Sequence, residues 1–240
     1  QQTSLQYLRL DWLVDFPMRQ LFEAITPNNQ LLEISCRGST WLRPRAMAVM
    51  ERAMEYCTCL KTFDLSHSLY AKPAYARSLG HLIGRALSKA TSLINLNVSG
   101  SPGKMAGLCL YVLQGLYRHP LEALDVSKTR WDTELATQLA HFTTLCTLKV
   151  NNMSRDQDRD WFAFHKLTRL QNLTSLTCNN NGISYYPYNI GVKYLERCKI
   201  HDIVDETLAH LTNLAELKLI LPWESNQLSF KWRKIVSKLP

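Results

Sequence analysis

One six-residue pattern, apolar-x-x-apolar-x-apolar, recurs along this 240-residue chain and constrains its fold more than any other feature. It reads Leu5-x-x-Leu8-x-Leu10, Leu31-x-x-Ile34-x-Cys36, Leu60-x-x-Phe63-x-Leu65 and Leu93-x-x-Leu96-x-Val98. It continues as Leu121-x-x-Leu124-x-Val126, Leu145-x-x-Leu148-x-Val150 and Leu173-x-x-Leu176-x-Cys178. A degenerate copy at Val192-x-x-Leu195 precedes a last good one, Leu214-x-x-Leu217-x-Leu219. First positions lie 19 to 33 residues apart. A unit of that length cannot bury its apolar side alone, so neighbours must stack. Alternation within each copy marks a short strand, and the spacers carry helical periodicity. Leu79, Leu82, Ile83, Ala86 and Leu87 share one helical face, as do Met105, Leu108, Cys109, Val112, Leu113 and Leu116. Pro17 and Pro44 sit near the starts of two further helices, where a missing N–H costs little.

The ninth position of the pattern is Ser39, Ser68, Ser101, Thr129 and Asn181 in five copies, side chains able to bond the turn backbone as the chain leaves the strand. Leu13, Met153 and Pro222 depart from that rule. With it, the chain resembles the leucine-rich-repeat family along its whole length. The resemblance implies an α/β solenoid of about nine repeats, a curved horseshoe with a parallel β-sheet on the concave side and helices on the convex side. Long outer helices are similar to those of the ribonuclease-inhibitor-like intracellular subclass. The expected organisation is a single domain over residues 1–240. The first motif has no polar cap before it, and another strand would be expected after residue 240, so the reading is a fragment of a longer repeat protein, or ends capped by partner chains.

Apolar residues are 46% and charged residues 20% of the chain, which excludes a disordered polymer. No apolar run reaches the roughly 20 residues that span a bilayer, so no membrane insertion is expected. Seven cysteines is an odd count, and Cys36, Cys109, Cys146 and Cys178 lie in apolar stretches. That usage fits small buried hydrophobes in an intracellular, cytoplasmic setting. A secreted disulfide framework is the alternative, but no paired spacing supports it. Cys57-Thr-Cys59 has the wrong spacing for zinc and no second pair to complete four ligands.

A search for catalytic constellations finds no His-Glu-x-x-His, Gly-x-Ser-x-Gly, Walker-type loop or Gly-x-Gly-x-x-Gly. Histidines 67, 81, 119, 141, 165, 201 and 210 are scattered. The chain is therefore read as non-enzymatic, without cofactor or metal. An aromatic stretch at 182–191 reads as a short connection with packed tyrosines, and the long 60–93 interval as a rim insertion. Lys231, Arg233, Lys234 and Lys238 read as the wet face of a last helix. The sequons at Asn97, Asn152 and Asn172 read as coincidental, because Asn97 falls inside a strand motif.

Charge then selects a partner class. The chain carries +8, which leaves an acidic or nucleic-acid partner open. Variable motif positions hold eight basic residues (Arg9, Arg37, Lys61, Lys128, Lys149, Lys193, Lys199, Lys218). They hold seven acidic ones (Asp11, Glu33, Asp64, Glu122, Asp125, Glu196, Glu216). The rest of the chain keeps 20 basic against 13 acidic. A groove for a phosphate backbone would be one-signed, whereas mixed signs suit a protein. The expectation is a protein-interaction module (sensor, adaptor, inhibitor or substrate receptor) that binds through its concave face and one rim. The candidate contacts are Tyr7, Arg9, Trp12, Arg37, Asp64, His67, Asn97, Asp125, Lys149, Asn151, Asn179 and Lys218, with Trp12, Tyr7 and Arg37 as leading anchors. The rival is a structural subunit of a large assembly, ribonucleoprotein included, docked through a basic convex face.

Overall fold

Each of the eight strong motif copies becomes one short parallel strand in a computed structural model that describes residues 5–13, 18–39, 44–68, 73–100, 107–117, 119–151, 158–179 and 207–220. The strands are β1 (Tyr7–Arg9), β2 (Glu33–Ser35), β3 (Thr62–Asp64), β4 (Asn95–Asn97), β5 (Ala123–Asp125), β6 (Thr147–Lys149), β7 (Ser175–Asn179) and β8 (Glu216–Ile220). They form one sheet in chain order, every strand parallel to its neighbours. The register aligns the second motif apolar residue throughout, running Leu8, Ile34, Phe63, Leu96, Leu124, Leu148, Leu176 and Leu217. The Val192 copy lies outside the described residues, and β7 and β8, which flank it in sequence, pair directly with each other.

Helices connect the strands: α1 (Met18–Ala24), α2 (Pro44–Tyr56), α3 (Pro73–Leu87), α4 (Gly107–Gly115) and α5 (Thr133–Leu139). Prolines open α2 and α3, at the helix position that has no hydrogen bond to lose. Asp132 starts α5 by accepting the Leu135 N–H at 2.8 Å. Between β6 and β7 the spacer Asp158–Arg169 winds into 3-10 turns instead of an α-helix. Among the described helices only α2 and α3 exceed three turns, with 13 and 15 residues.

Of the two expected helical faces, Met105 lies outside the described residues and Leu82 is half-buried. Leu79, Ile83, Ala86 and Leu87 of α3 are buried, as are Leu108, Cys109, Val112, Leu113 and Leu116 of the second. They join the inward strand residues in one core that runs from Phe22 to Leu214. Each helix packs on the helix of the adjacent repeat. Strands stack about 4.8 Å apart, whereas packed helices stand about 8–10 Å apart. The stack must therefore bend with its sheet inside. Motif, register and strand order are those of an α/β solenoid of leucine-rich-repeat type.

One helix contact is tighter than the rest. A Cβ on Gly84 would lie 2.2 Å from the Val112 carbonyl oxygen and 2.8 Å from Gly115 Cα, and one on Gly80 would lie 2.5 Å from Tyr111 Cβ. Backbone thus meets backbone where α3 crosses α4.

The ninth-position hydroxyls stitch successive turns. Ser39 Oγ donates to Leu10 O at 2.6 Å and accepts the Leu13 N–H at 3.1 Å. Ser68 Oγ donates to Cys36 O and accepts the Ser39 N–H at 3.0 Å. Leu13 needs no hydroxyl of its own, because the next repeat supplies the acceptor. Ser101, Met153, Asn181 and Pro222 lie outside the described residues.

Cys36, Cys57, Cys109 and Cys178 are buried, Cys59 and Cys146 half-buried, and these six form no disulfide with one another. Burial pushes the Cys57 thiol up to about 11 and Cys109 to about 12, and raises Cys36 and Cys178 as well. Since the thiolate is the reactive form, native alkylation at neutral pH is expected to modify Cys59 and Cys146 first. Unfolding without reductant should then expose seven alkylatable thiols. A pair that stays protected would mean a disulfide and a secretory setting.

Candidate functional site

The outward positions of each strand form two columns along the sheet. The first runs Tyr7, Glu33, Thr62, Asn95, Ala123, Thr147, Ser175 and Glu216. The second runs Arg9, Ser35, Asp64, Asn97, Asp125, Lys149, Thr177 and Lys218 by the same register. Six of the twelve candidates, Arg9, Asp64, Asn97, Asp125, Lys149 and Lys218, therefore share one line about 4.8 Å per step. Its charge comes in blocks: positive at β1, negative at β3 and β5, positive at β6 and β8.

These side chains are not equally available. Asp64, Asn97 and Asp125 are half-buried, and each accepts the N–H two residues on: Ser66 at 2.7 Å, Ser99 at 3.1 Å and Ser127 at 2.9 Å. They close Asx turns at the strand ends as well as facing the column. Asn97 Nδ2 also donates to Asp64 Oδ2 at 3.4 Å. Arg9 donates across the sheet to Glu33 at 3.3 Å, and Lys218 donates to Glu216 at 2.6 Å. The Lys218 ammonium, followed by the Ser175 hydroxyl, holds the Glu216 carboxyl below its ordinary range. Lys149 stands exposed on β6. Asn151 lies just beyond β6, and its N–H donates to Ser127 Oγ at 3.0 Å. Asn179 ends β7 opposite Ile220.

Trp12, Arg37 and His67 gather at one rim, while Tyr7 heads the first column. Three residues past the strand, the chain adopts a left-handed conformation in five successive repeats: Trp12 (φ 60°), Gly38 (66°), His67 (59°), Gly100 (81°) and Lys128 (57°). Each donates its N–H to the next repeat: Trp12 to Arg37 O at 2.6 Å, Gly38 to Ser66 O at 2.7 Å, His67 to Ser99 O at 2.7 Å, Gly100 to Ser127 O at 2.8 Å and Lys128 to Asn151 O at 2.7 Å. This conformation costs about 1–2 kcal/mol for a residue with a Cβ, so the ladder offsets local strain at three of the five. The rings lie over the glycines that follow them. A Cβ on Gly38 would meet the Trp12 ring at 2.1 Å, and one on Gly100 would meet the His67 ring at 2.5 Å.

Trp12 is thereby fixed flat yet 61% exposed. The Arg37 guanidinium sits 5.7 Å from its centroid and His67 at 6.0 Å. Tyr7 and Leu5 are exposed at the same end of the sheet. Sequence reasoning chose Trp12, Arg37 and His67 individually. It missed Lys128 as their rim companion and the row that joins them, whose visible signal was glycine at the second and fourth copies.

Beyond this rim, the described chemistry is structural. Among the described residues no three His, Cys, Asp or Glu side chains cluster as metal ligands, and no helix is long and apolar enough to cross a membrane. Of the sequon asparagines, Asn172 donates to Thr143 O at 2.9 Å and Asn97 to Asp64, while Asn152 lies outside the described residues. The 182–191 stretch, Lys193, Lys199 and the basic cluster at 231–238 also lie outside them.

His119 is buried between two repeats, its Nε2 2.9 Å from Leu93 O. Burial holds its pKa below the usual 6.5, against the opposing bond to the carbonyl. His67 is lowered too, first by burial and then by Lys128 and Arg37. Both groups bind protons more weakly folded than unfolded, so stability is full above about pH 6.5 and falls as the pH drops through it. NMR titration is expected to place the His119 imidazole midpoint below 6.5, and a midpoint above that value would refute the buried contact.

No family model matches the chain, and no curated protein matches it. Among solved structures, an internalin C2 from Listeria monocytogenes is 14% identical with a TM-score of 0.45, covering 92% of this chain and 75% of its own. Another internalin from that organism is 13% identical with a TM-score of 0.28, covering 98% and 79%. An enolase described as a putative galactarate dehydratase, from Agrobacterium radiobacter, is 13% identical with a TM-score of 0.31, covering 91% and 52%. Likenesses this distant transfer neither partner nor activity.

Proposed function

We propose that this chain is a non-enzymatic protein-interaction module, engaging a partner protein through its concave sheet and the Trp12 rim. The observation that supports this reading most is the column of outward residues, blocked by sign and flanked at β1 by exposed Tyr7 and Trp12. Charge blocks set register and speed encounter, and fixed aromatics supply anchor area. A sensor, adaptor, inhibitor or substrate-receptor role is compatible with that surface. Buried, unpaired thiols favour an intracellular location. The rival, docking through a basic convex face, draws less support. Arg85 on α3 and Lys89 just beyond it already pair with Glu51 and Glu55 of α2, at 2.9 and 3.2 Å.

The test reverses two exposed column cations, Arg9→Glu with Lys149→Glu, in the full chain. These positions spare the Asx turns, so stability should stay within about 1 kcal/mol. Proteins retained by the unaltered chain from a nuclease-treated extract should be lost at least tenfold. The convex control, Arg77→Glu with Arg85→Glu, should leave retention unchanged. Retention that survives column reversal and fails in the convex variant would replace this reading with its rival.

A further inference from the structure

The geometry points to the rim of Trp12, Arg37, His67 and Lys128 as the seat of an extended, acidic peptide segment of the partner, with two carboxylates spaced four residues apart and an apolar side chain on the Trp12 side. This rests on the protein-binding reading above and gives its partner a chemistry.

Four observations lead there. First, the cations stand out while the anions are held in. Arg37 and Lys128 are exposed. Nearby Asp11 is half-buried and accepts the Arg37 N–H at 3.0 Å and the Ser35 hydroxyl at 2.5 Å. Asp64 and Asp125 are committed to their Asx turns. The fully exposed charges of the rim, Arg37 and Lys128, are therefore positive, with the carboxylates of Asp64 and Asp125 half-buried between them. Second, the cations belong to one field: His67, which lies between their repeats, has its proton affinity lowered first by burial and then by Lys128 and Arg37, which outweigh the opposing pull of Asp64 and Asp125. Third, Trp12 is a rigid platform, clamped on Gly38 and flanked by Arg37. A large ring whose rotamer freedom is already gone binds without that entropy cost. Fourth, three residues accept left-handed backbone to hold side chains here, and strain of this kind collects at ligand clamps.

The spacing sets the sequence of the guest. Arg37 and Lys128 follow the second and fifth strands, by two and three residues, and those strands are three steps or roughly 14 Å apart. An extended peptide advances roughly 3.3 Å per residue, so about four residues bridge them, and residues an even number apart share a face. The Trp12 ring lies over Gly38 beside Arg37, where a Leu- or Phe-sized side chain would cover its exposed part. A nucleic-acid strand is the poorer guest. Charged at every nucleotide, it would set phosphates against Asp64 and Asp125 as well.

The probe is a labelled ten-residue peptide with Leu at one end and two Glu four positions apart, titrated into the full chain by fluorescence anisotropy at low salt. Comparison probes are its isomer with adjacent Glu residues and a decauridylate. Saturable binding is expected, weakened at least tenfold by Arg37→Glu with Lys128→Glu and at least fivefold by Trp12→Ala. The isomer should bind several-fold more weakly, and Arg77→Glu on α3 should change nothing. Circular dichroism melting checks that each variant is folded. Because Trp12 carries strain, Trp12→Gly serves as a second variant that keeps the backbone. Unchanged affinity in the folded Arg37→Glu/Lys128→Glu variant would overturn the inference, as would no binding of the peptide or tighter binding of the decauridylate. Extract proteins lost on column reversal but kept by the rim variant would overturn the rim alone, leaving the protein-binding reading intact.

Discussion

Gly84→Ala is expected to destabilise the protein by at least about 3 kcal/mol, although in an ordinary exposed helix the same change would stabilise it by about 1 kcal/mol. The sign reverses because of what surrounds the site. The new Cβ would meet the Val112 carbonyl oxygen at 2.2 Å and Gly115 Cα at 2.8 Å. Both are backbone atoms, so no side-chain rotation relieves the clash and α3 must move away from α4. Separating them loosens the packing of α3 on α4, two helices whose Leu79, Ile83, Leu108 and Val112 are all buried. Overpacking typically costs 1–3 kcal/mol, more where the backbone must shift. At about 2–4 °C per kcal/mol for a chain of this size, the melting point should fall by roughly 6–12 °C. Urea denaturation showing Gly84→Ala equal to or above the unaltered protein would disprove the close crossing.

Leu124→Ala should cost about 2–5 kcal/mol. Leu124 is 2% exposed at the centre of β5 and registers with Leu96 on one side and Leu148 on the other. In a stack where each repeat contacts only its neighbours, truncation at an inner position weakens two interfaces. Leu8, equivalent in register but half-buried on the first strand, is the internal comparison. Leu8→Ala should cost clearly less. Equal losses at both positions would mean that the core is not propagated repeat to repeat as described.

Both predictions show how legible different layers of this molecule were. The eight strong motif copies became the eight described strands because a two-residue alternation, repeated at one spacing, leaves only one register that buries every leucine. The inward faces of α3 and α4 were legible for the same reason. The spacer at 158–169 was not, since its buried residues Ala163, Phe164, Leu167 and Leu170 would serve an α-helix equally well. At the site, periodicity assigned Arg9, Asp64, Asp125, Lys149 and Lys218 to one column. It did not reveal that Asp64, Asn97 and Asp125 also tie down the turn. The signal was present as Asp-Leu-Ser, Asn-Val-Ser and Asp-Val-Ser, each an Asx-turn spacing. The row that joins the rim residues escaped. Trp, Gly, His, Gly and Lys share no chemistry, only a backbone angle, and angles are not written in hydropathy.

The alternation of bulky residue and glycine along that rim also limits how such a surface can diversify. A ring at one repeat occupies the volume where the following repeat would place a Cβ, so the two positions are not free to vary independently. Trp12 can shrink while Gly38 stays, but Gly38 cannot grow until Trp12 has gone; His67 and Gly100 obey the same order. Related chains that reshape this edge for other guests should therefore change it in coupled pairs one repeat apart, about 26 and 33 residues here, always clearing the earlier position before filling the later one.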